Sequence, residues 1–397
     1  MTPETRMALM AAVLAAVGPL SLSVYGPAMP AIAAAFQVPE AVIAPTMALY
    51  LAGFSAGQLV CGPLSDRYGR RPAMVGFLLL YLAGTLAAFL APSVAVLAAG
   101  RLVQGLGASV GIAIARAMVR DRFSGQAAAR ILSVVGMVVS VAPALGPLAG
   151  GVVLELAPWR WVFVLMAVYA VALLAFSVLR LRETNSHAGG GALPLRHVVG
   201  TYGMLLTDLR FLSPALGGAL SIGGIYTFVT VAPFVLDHDL GLTPGLIGPA
   251  MAAPAASYFV GAALAGRLLR RLPAARLMLW GGGLNLLAGL LGAALLLTLG
   301  PTLAGLVATM ALWSFGVSLL MPGCSAGAME HFPRTAGAAA ALMGCLQMGT
   351  GMVGGLAAHW VGGTHTGLAV VPVVMACGAI AMVLAGRRRL SRPAGSD

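Results

Sequence analysis

The 397-residue chain is 60% hydrophobic, 9% charged, and carries a net charge of +12. A soluble domain usually has about a quarter of its residues charged, so a soluble globular fold is excluded. Every basic side chain is Arg and none is Lys. Most fall in short connectors between apolar runs rather than in an aromatic-laced patch, which argues for membrane topology and against nucleic acid as the cause of the charge.

Apolar runs recur over about residues 7–29, 41–64, 73–91, 96–119, 128–152, 160–180, 209–236, 244–267, 277–298, 302–323, 337–359 and 367–386. Each can cross a bilayer, which takes ~20 apolar residues as a helix. Long runs without period-two alternation exclude a barrel. The expectation is an all-α membrane protein with twelve transmembrane helices. The first run is longer than a signal peptide's apolar region, so it reads as a retained helix. An even number of spans puts both termini on one side. Arg6, Arg67, Arg70, Arg71, Arg120, Arg122, Arg180, Arg182, Arg196, Arg270, Arg271, Arg276, Arg334 and Arg387 to Arg389 all lie in connectors of that side. The opposite connectors hold Arg160 and the acids Asp237 and Asp239. Both termini are therefore expected in the cytoplasm.

The densest charge joins the second and third runs: residues 62–72 hold Gly62, Pro63, Asp66, Arg67, Gly69, Arg70, Arg71 and Pro72. Between two spans this must be a tight aqueous turn, with Gly and Pro ending the helices. The fourth run opens with Arg101, Gln104, Gly105 and Gly107 and closes near Asp121. A guanidinium keeps its charge, so Arg101 either faces protein or water and finds an acceptor, or snorkels to the outer interface. The fifth run contains Pro143, Gly146, Pro147, Gly150 and Gly151. Glycines four apart bring helices close and prolines remove backbone donors, which predicts a bend at a helix contact acting as a seal or hinge.

The longest connector, about 182–207, contains Glu183, Thr184, Asn185, Ser186, His187, Gly189, Gly190 and Gly191 and reads as a flexible linker. It divides the chain into an N-terminal six-helix bundle (1–182), a cytoplasmic linker (183–207) and a C-terminal six-helix bundle (208–397). Internal repetition supports the split: Gly57 and Gly62 recur as Gly261 and Gly266, and Asp121 with Phe123 as Glu330 with Phe332. Gly323, Ser325 and Gly327 match a serine-hydrolase pattern by chance, at a span end and without the strand-turn-helix that chemistry needs. Cys61, Cys324, Cys345 and Cys377 lie at or inside apolar runs without metal-ligand spacing, and the six histidines are scattered. No enzymatic activity, metal or cofactor is expected.

Residues 62–72 resemble the loop signature between the second and third helices of the major facilitator superfamily. The Arg101, Gln104, Gly105 and Gly107 run resembles its fourth-helix motif, and Gly146, Pro147, Gly150 and Gly151 the fifth-helix motif of its drug antiporters. Tyr25 to Pro30, Arg116 to Asp121 with Phe123, Trp159 to Phe163, and Ala232 to Val235 are similar to the bicyclomycin/chloramphenicol-resistance branch of the drug/proton antiporters. The resemblance implies two pseudo-symmetric six-helix bundles around a cavity that opens alternately to each side. It implies that Arg70 pairs with Asp121 and that Asp66 sits near the start of the eleventh run, around Ala336 and Gly337. These contacts would form a cytoplasmic latch favouring the outward-open state. Members of the branch commonly carry an acid in the first helix, whereas here Leu20 to Tyr25 contain none. Either protons use a carboxylate nearer a membrane face, or coupling differs.

Candidate cavity residues are Tyr25, Met47, Tyr50, Phe54, Tyr226, Trp313 and Gln347, beside Gln104. A lack of buried acid argues against a strongly cationic substrate and suits a neutral or weakly anionic amphiphile. The expected function is proton-coupled export of small amphiphilic, drug-like compounds by a monomer in the bacterial inner membrane. A dedicated metabolite exporter or uniporter, or a receptor on the same scaffold, is the alternative.

Overall fold

In lipid every backbone polar group must be satisfied within the chain, and an apolar sequence of this kind answers with helices. The computed structural model describes residues 2–185, 195–361 and 364–390, and Ser186, His187 and the glycines 189–191 of the connector lie outside the described residues. Among the described residues all regular structure is helical. Twelve helices among the described residues are long and apolar enough to cross a membrane: Glu4–Phe36, Glu40–Tyr68, Arg70–Phe89, Val94–Arg122, Gly125–Leu156, Trp161–Leu179, Leu209–Asp239, Pro244–Leu268, Ala274–Leu299, Leu303–Glu330, Ala336–Trp360 and His365–Gly386. One falls on each predicted run.

Three boundaries depart from expectation. The first span continues past Pro27 and Pro30 because each proline stands at the start of a new helical segment, Gly26–Ala28 and then Met29–Phe36. There a missing N–H costs nothing. The second span passes through Pro63 and ends only at Tyr68, so Gly62 and Pro63 do not terminate it. The turn to the third span is the single residue Gly69, at φ 101°, a conformation that glycine adopts without steric cost. The third departure lies in the connector, where Leu195–Thr207 is a helix. Its apolar Leu195, Val198, Tyr202, Leu205 and Leu206 recur at helical spacing, Leu205 is buried, and the helix packs beside Ala336–Trp360.

The chain divides into two compact units, Met1–Pro194 with Ala232–Ala255, and Leu195–Val231 with Ala256–Asp397. In the first unit the N-terminal half of the fourth span is gripped between the second and third spans. A Cβ on Gly53 would fall on the Leu102 carbonyl, and one on Gly105 on the Tyr50 carbonyl. On the opposite side, Gly84 faces the Gly100 carbonyl and Gly107 the Phe77 carbonyl. Such small-residue contacts let backbones approach where the lipid supplies no hydrophobic drive for helices to associate. Toward the other end of the fourth span, Ala8, Ala11, Ala12 and Ala15 of the first span form a core with Ala115, Val119, Ile131 and Val135.

The second unit repeats these contacts. Gly57 meets Ser109, whose hydroxyl donates back to the Leu106 carbonyl at 2.8 Å; Gly261 meets Ser318, which donates to Phe315 at 2.7 Å. Where Gly53 rests on the Leu102 carbonyl, the matching Ser257 donates to the Ala311 carbonyl at 2.7 Å. A side chain at Gly62 or Gly266 would meet nothing. The tandem pattern read from a few glycines thus extends to individual backbone contacts.

The contrast yields a test. Gly105→Ala should lower the melting temperature of the detergent-purified protein, because the Tyr50 carbonyl belongs to a rigid helix and overpacking costs ~1–3 kcal/mol. Gly266→Ala should be neutral, within ~0.5 kcal/mol, since its Cβ enters open space.

Candidate functional site

At one end of the first unit, the charges of residues 62–72 sit on the last turn of one helix and the first turn of the next. Arg70 is buried and donates from Nε to Asp121 Oδ2 at 3.0 Å and from Nη2 to Asp121 Oδ1 at 3.3 Å. Its Nη1 donates to Ser65 Oγ at 2.8 Å and to the Asp66 carboxylate. This two-pronged contact uses the fixed fork of the guanidinium, which Lys could not reproduce. The Asp66 side chain remains 65% exposed. Arg67 is exposed, and its guanidinium lies over the Tyr68 ring. Arg71 donates to the Ser177 and Val178 carbonyls at 3.3 and 2.6 Å, capping the end of the sixth span.

A segment that the sequence marks only as linker closes this network. The Glu183 carboxylate accepts from the backbone N–H of Arg70 at 2.9 Å and of Arg71 at 3.1 Å. An acid is favoured at that helix N-terminus. Glu183 also occupies the space a Cβ on Gly69 would need. Thr184 donates to Asp121 Oδ2 at 2.9 Å, Asn185 Nδ2 to the Asp66 carbonyl at 2.9 Å, and Arg122 to the Glu183 carbonyl at 3.1 Å. Residues 183–185 therefore strap the turn to the end of the fourth span.

Deeper in the same unit, Arg101 is wholly buried, which decides between the two sequence readings: it does not snorkel. Its guanidinium carbon lies 4.0 Å from the Tyr25 ring centroid and 4.2 Å from that of Tyr50. Nη1 donates to Gln104 Oε1, and Nη2 approaches Met47 Sδ at 3.8 Å. The orientation of Gln104 follows from its other bond. Thr85 spends its proton on the Tyr81 carbonyl, so it accepts from Gln104 Nε2 at 2.8 Å and leaves Oε1 for Arg101. The tyrosine hydroxyls point elsewhere: Tyr25 donates to Thr46, Tyr50 to the Gly18 carbonyl at 2.9 Å, and Tyr81 to Ser21. Thr46 and Ser21 are acceptors here because their own protons go to Ile43 and Val17 carbonyls. Phe54 packs on Gly18 behind Tyr50.

In the fifth span, Pro143 and Pro147 lie within one continuous helix. Gly146 and Gly150 abut Ser23 and Val24 of the first span. Gly151 faces the Pro244 carbonyl and Gly248 faces that of Pro147, so one helix presents two close-contact faces. At the end of the seventh span, His238 contacts the Glu40 carboxylate through Nδ1, and its Nε2 lies 3.4 Å from Asp237 Oδ2. Arg160, the exception to the charge asymmetry, donates to the Phe89 and Ala91 carbonyls at 3.1 Å each, capping the third span.

The family model described as Major Facilitator Superfamily matches residues 11–355 and again 214–396. The chain belongs to the major facilitator superfamily. It is 31% identical over 367 residues to Multidrug resistance protein D of Escherichia coli (strain K12), covering 89% of each chain. It is 29% identical to the uncharacterized MFS-type transporter YdgK of Bacillus subtilis (strain 168), over 89% of this chain and 88% of that one. Among solved structures, a partially occluded inward-open conformation of the E. coli xylose transporter XylE matches with a TM-score of 0.74 at 13% identity, over the full length of both chains. The chain is accordingly a multi-pass membrane transporter, as the resemblance implied, with the major facilitator fold.

The superfamily's fourth-helix motif brings Arg101 and Gln104 together with three of the proposed cavity residues, Tyr25, Met47 and Tyr50. Phe54 lies in the same unit behind Tyr50, and the remaining three candidates lie in the second unit. Trp313 is buried and donates to the Ser221 carbonyl at 2.9 Å with its indole against Gly224; Tyr226 packs on Gly351; Gln347 is half-buried. Sequence reasoning missed Glu183. Its signal was an acid directly after a span that ends next to the Arg-rich turn.

Burial alone would raise the Glu183 pKa, but N–H donors from Asn185, Arg70, Arg71 and Thr184 outweigh it and hold the carboxyl below its ordinary value. A depressed folded-state pKa contributes stability that is complete above the ordinary value of 4.5 and lost as pH falls through the lowered one. Glu183→Gln should therefore lower thermal stability at neutral pH and flatten the acid limb of a melting-temperature profile below the ordinary carboxylate range. An unchanged acid limb would show that the strap is not held by this charge.

Proposed function

We propose that this transporter exports small amphiphilic, drug-like compounds across a bacterial inner membrane by alternating access, in exchange for protons, with both termini in the cytoplasm. The observation that carries the reading is 31% identity along 89% of the chain to a protein named for multidrug resistance. The Arg70–Asp121 network supports a latch role for residues 62–72. The paired contact faces of the fifth span, with Gly146 and Gly150 on one side and Gly151 on the other, support a sealing role for that helix.

The first span has no carboxylate between Leu20 and Tyr25, so proton exchange is assigned to acids nearer a membrane face. Glu40 and Asp237, both against His238, form the titratable group that fits this need, with Asp239 adjacent in sequence. Intramembrane proton carriers are ordinarily carboxylates and histidines of this kind.

Everted vesicles from a host lacking its own pumps should accumulate members of a panel of neutral, anionic and cationic amphiphiles when acidified inside. A protonophore should abolish the uptake, Asp66→Asn should slow it several-fold, and Glu40→Gln should blunt its pH dependence. Uptake that survives collapse of the gradient would replace antiport with uniport, the reading the missing first-span acid otherwise favours. No uptake of any panel member would overturn the export reading.

A further inference from the structure

A guanidinium keeps its charge in any protein environment, and taking it out of water carries a cost of several kcal/mol unless an anion accompanies it. Among the described residues Arg101 takes part in no ion pair. Two aromatic faces and the Gln104 carbonyl oxygen attend it, while its Nε, also buried, has no acceptor. The tyrosines cannot supply the missing negative charge, because Tyr25, Tyr50 and Tyr81 each donate their hydroxyl proton to a neighbouring oxygen and so remain neutral phenols. Asp121, the acid at the end of the same span, is occupied by Arg70 and Thr184.

Nor does the scaffold demand a cation here. The repeat that aligns Leu102 with Ala311 and Ser109 with Ser318 places Met310 opposite Arg101 and Trp313 opposite Gln104. The second unit buries Met310 at the corresponding place, so an apolar side chain satisfies the packing. The buried charge is an addition peculiar to the first unit, and a costly one. Several turns inward on the same span, exposed Arg116 and Arg120 add two further cations.

We infer that Arg101, sandwiched between Tyr25 and Tyr50, is the recognition point for an acidic group, a carboxylate, on the compound this transporter carries. The assignment rests on the export reading and narrows it to anionic amphiphiles. The carboxylate would take the vacant Nε–H and a neighbouring Nη–H in the two-point geometry arginine offers carboxylates. Tyr25 or Tyr50 would turn aside to admit it, and the apolar body of the ligand would replace the displaced ring.

Three probes that share one ring system test this: 1-naphthoate, its neutral amide 1-naphthamide, and 1-naphthylmethylammonium. Binding is measured on the full-length purified protein in lipid nanodiscs, and export separately in everted vesicles. The wild type should prefer naphthoate over naphthamide by about tenfold or more, the range expected of one charge-assisted pair. Arg101→Gln should remove that preference. Because that variant could also disturb folding, Gln104→Glu provides the second arm. A carboxylate beside Arg101 should neutralise the guanidinium from within, so the ratio of naphthoate to naphthamide affinity should fall to about one in the same folded preparation. Equal binding of naphthoate and naphthamide to the wild type, no naphthoate binding, or a preference unchanged in Gln104→Glu would each overturn the assignment. If vesicles export naphthamide or the ammonium probe as well as naphthoate, export stands and the anion assignment falls. If naphthoate binds in nanodiscs but nothing is exported, the anion site stands and the export reading falls.

Discussion

The first unit depends on the approach of the fourth span to its neighbours at backbone distance. Gly53 and Gly105 join it to the second span, and Gly84 and Gly107 join it to the third, each where a single Cβ would collide with a carbonyl or amide. In a bilayer, close packing of this kind replaces the hydrophobic drive that holds soluble helices together. It also excludes water from the span's inward face. Arg101 is carried on that face, so the packing that holds the unit together leaves a permanent cation without solvent. The aromatic sandwich and the Thr85-oriented Gln104 answer part of that cost.

Arginine serves two different ends in this chain. Arg70, Arg71 and Arg160 all lie at helix ends, where a carboxylate, for Arg70, or terminal carbonyls, for Arg71 and Arg160, accept their N–H groups. These contacts organise the turns: the fork of Arg70 joins residues 62–72 to the end of the fourth span, and Glu183 ties the start of the third span to the segment just beyond the sixth. Arg101 stands apart because its acceptors are ring faces and one amide oxygen. The distinction is electrostatic rather than compositional, and it separates residues that hold the scaffold from one whose charge awaits a partner.

The duplication sharpens this asymmetry. Gly57 with Ser109 and Gly261 with Ser318 are the same contact made twice, down to the serine hydroxyl bonding a carbonyl three residues back. Two units that share packing to this degree differ in the chemistry placed on it. One carries Arg101 and Gln104, and the other Met310 and Trp313. Packing positions repeat because helix approach tolerates few residues, whereas the side chains beside them are free to specialise.

Much of this protein was legible in the amino-acid sequence. Length and apolarity specify twelve spans, since the bilayer's thickness is a physical ruler. The motif residues Gly62 to Arg71, Arg101 and Gly146 to Gly151 identify the superfamily, and the Arg70–Asp121 pair followed from that resemblance. Only the tertiary structure decided whether Arg101 is buried or snorkels, because one residue of helix register separates the two and composition carries no register. It also decided that Gly69 alone forms the turn, that Leu195–Thr207 is helical, and that Glu183 belongs to the charged network. These outcomes depend on which backbone donors lack partners once the helices are packed, a quantity that exists only in three dimensions.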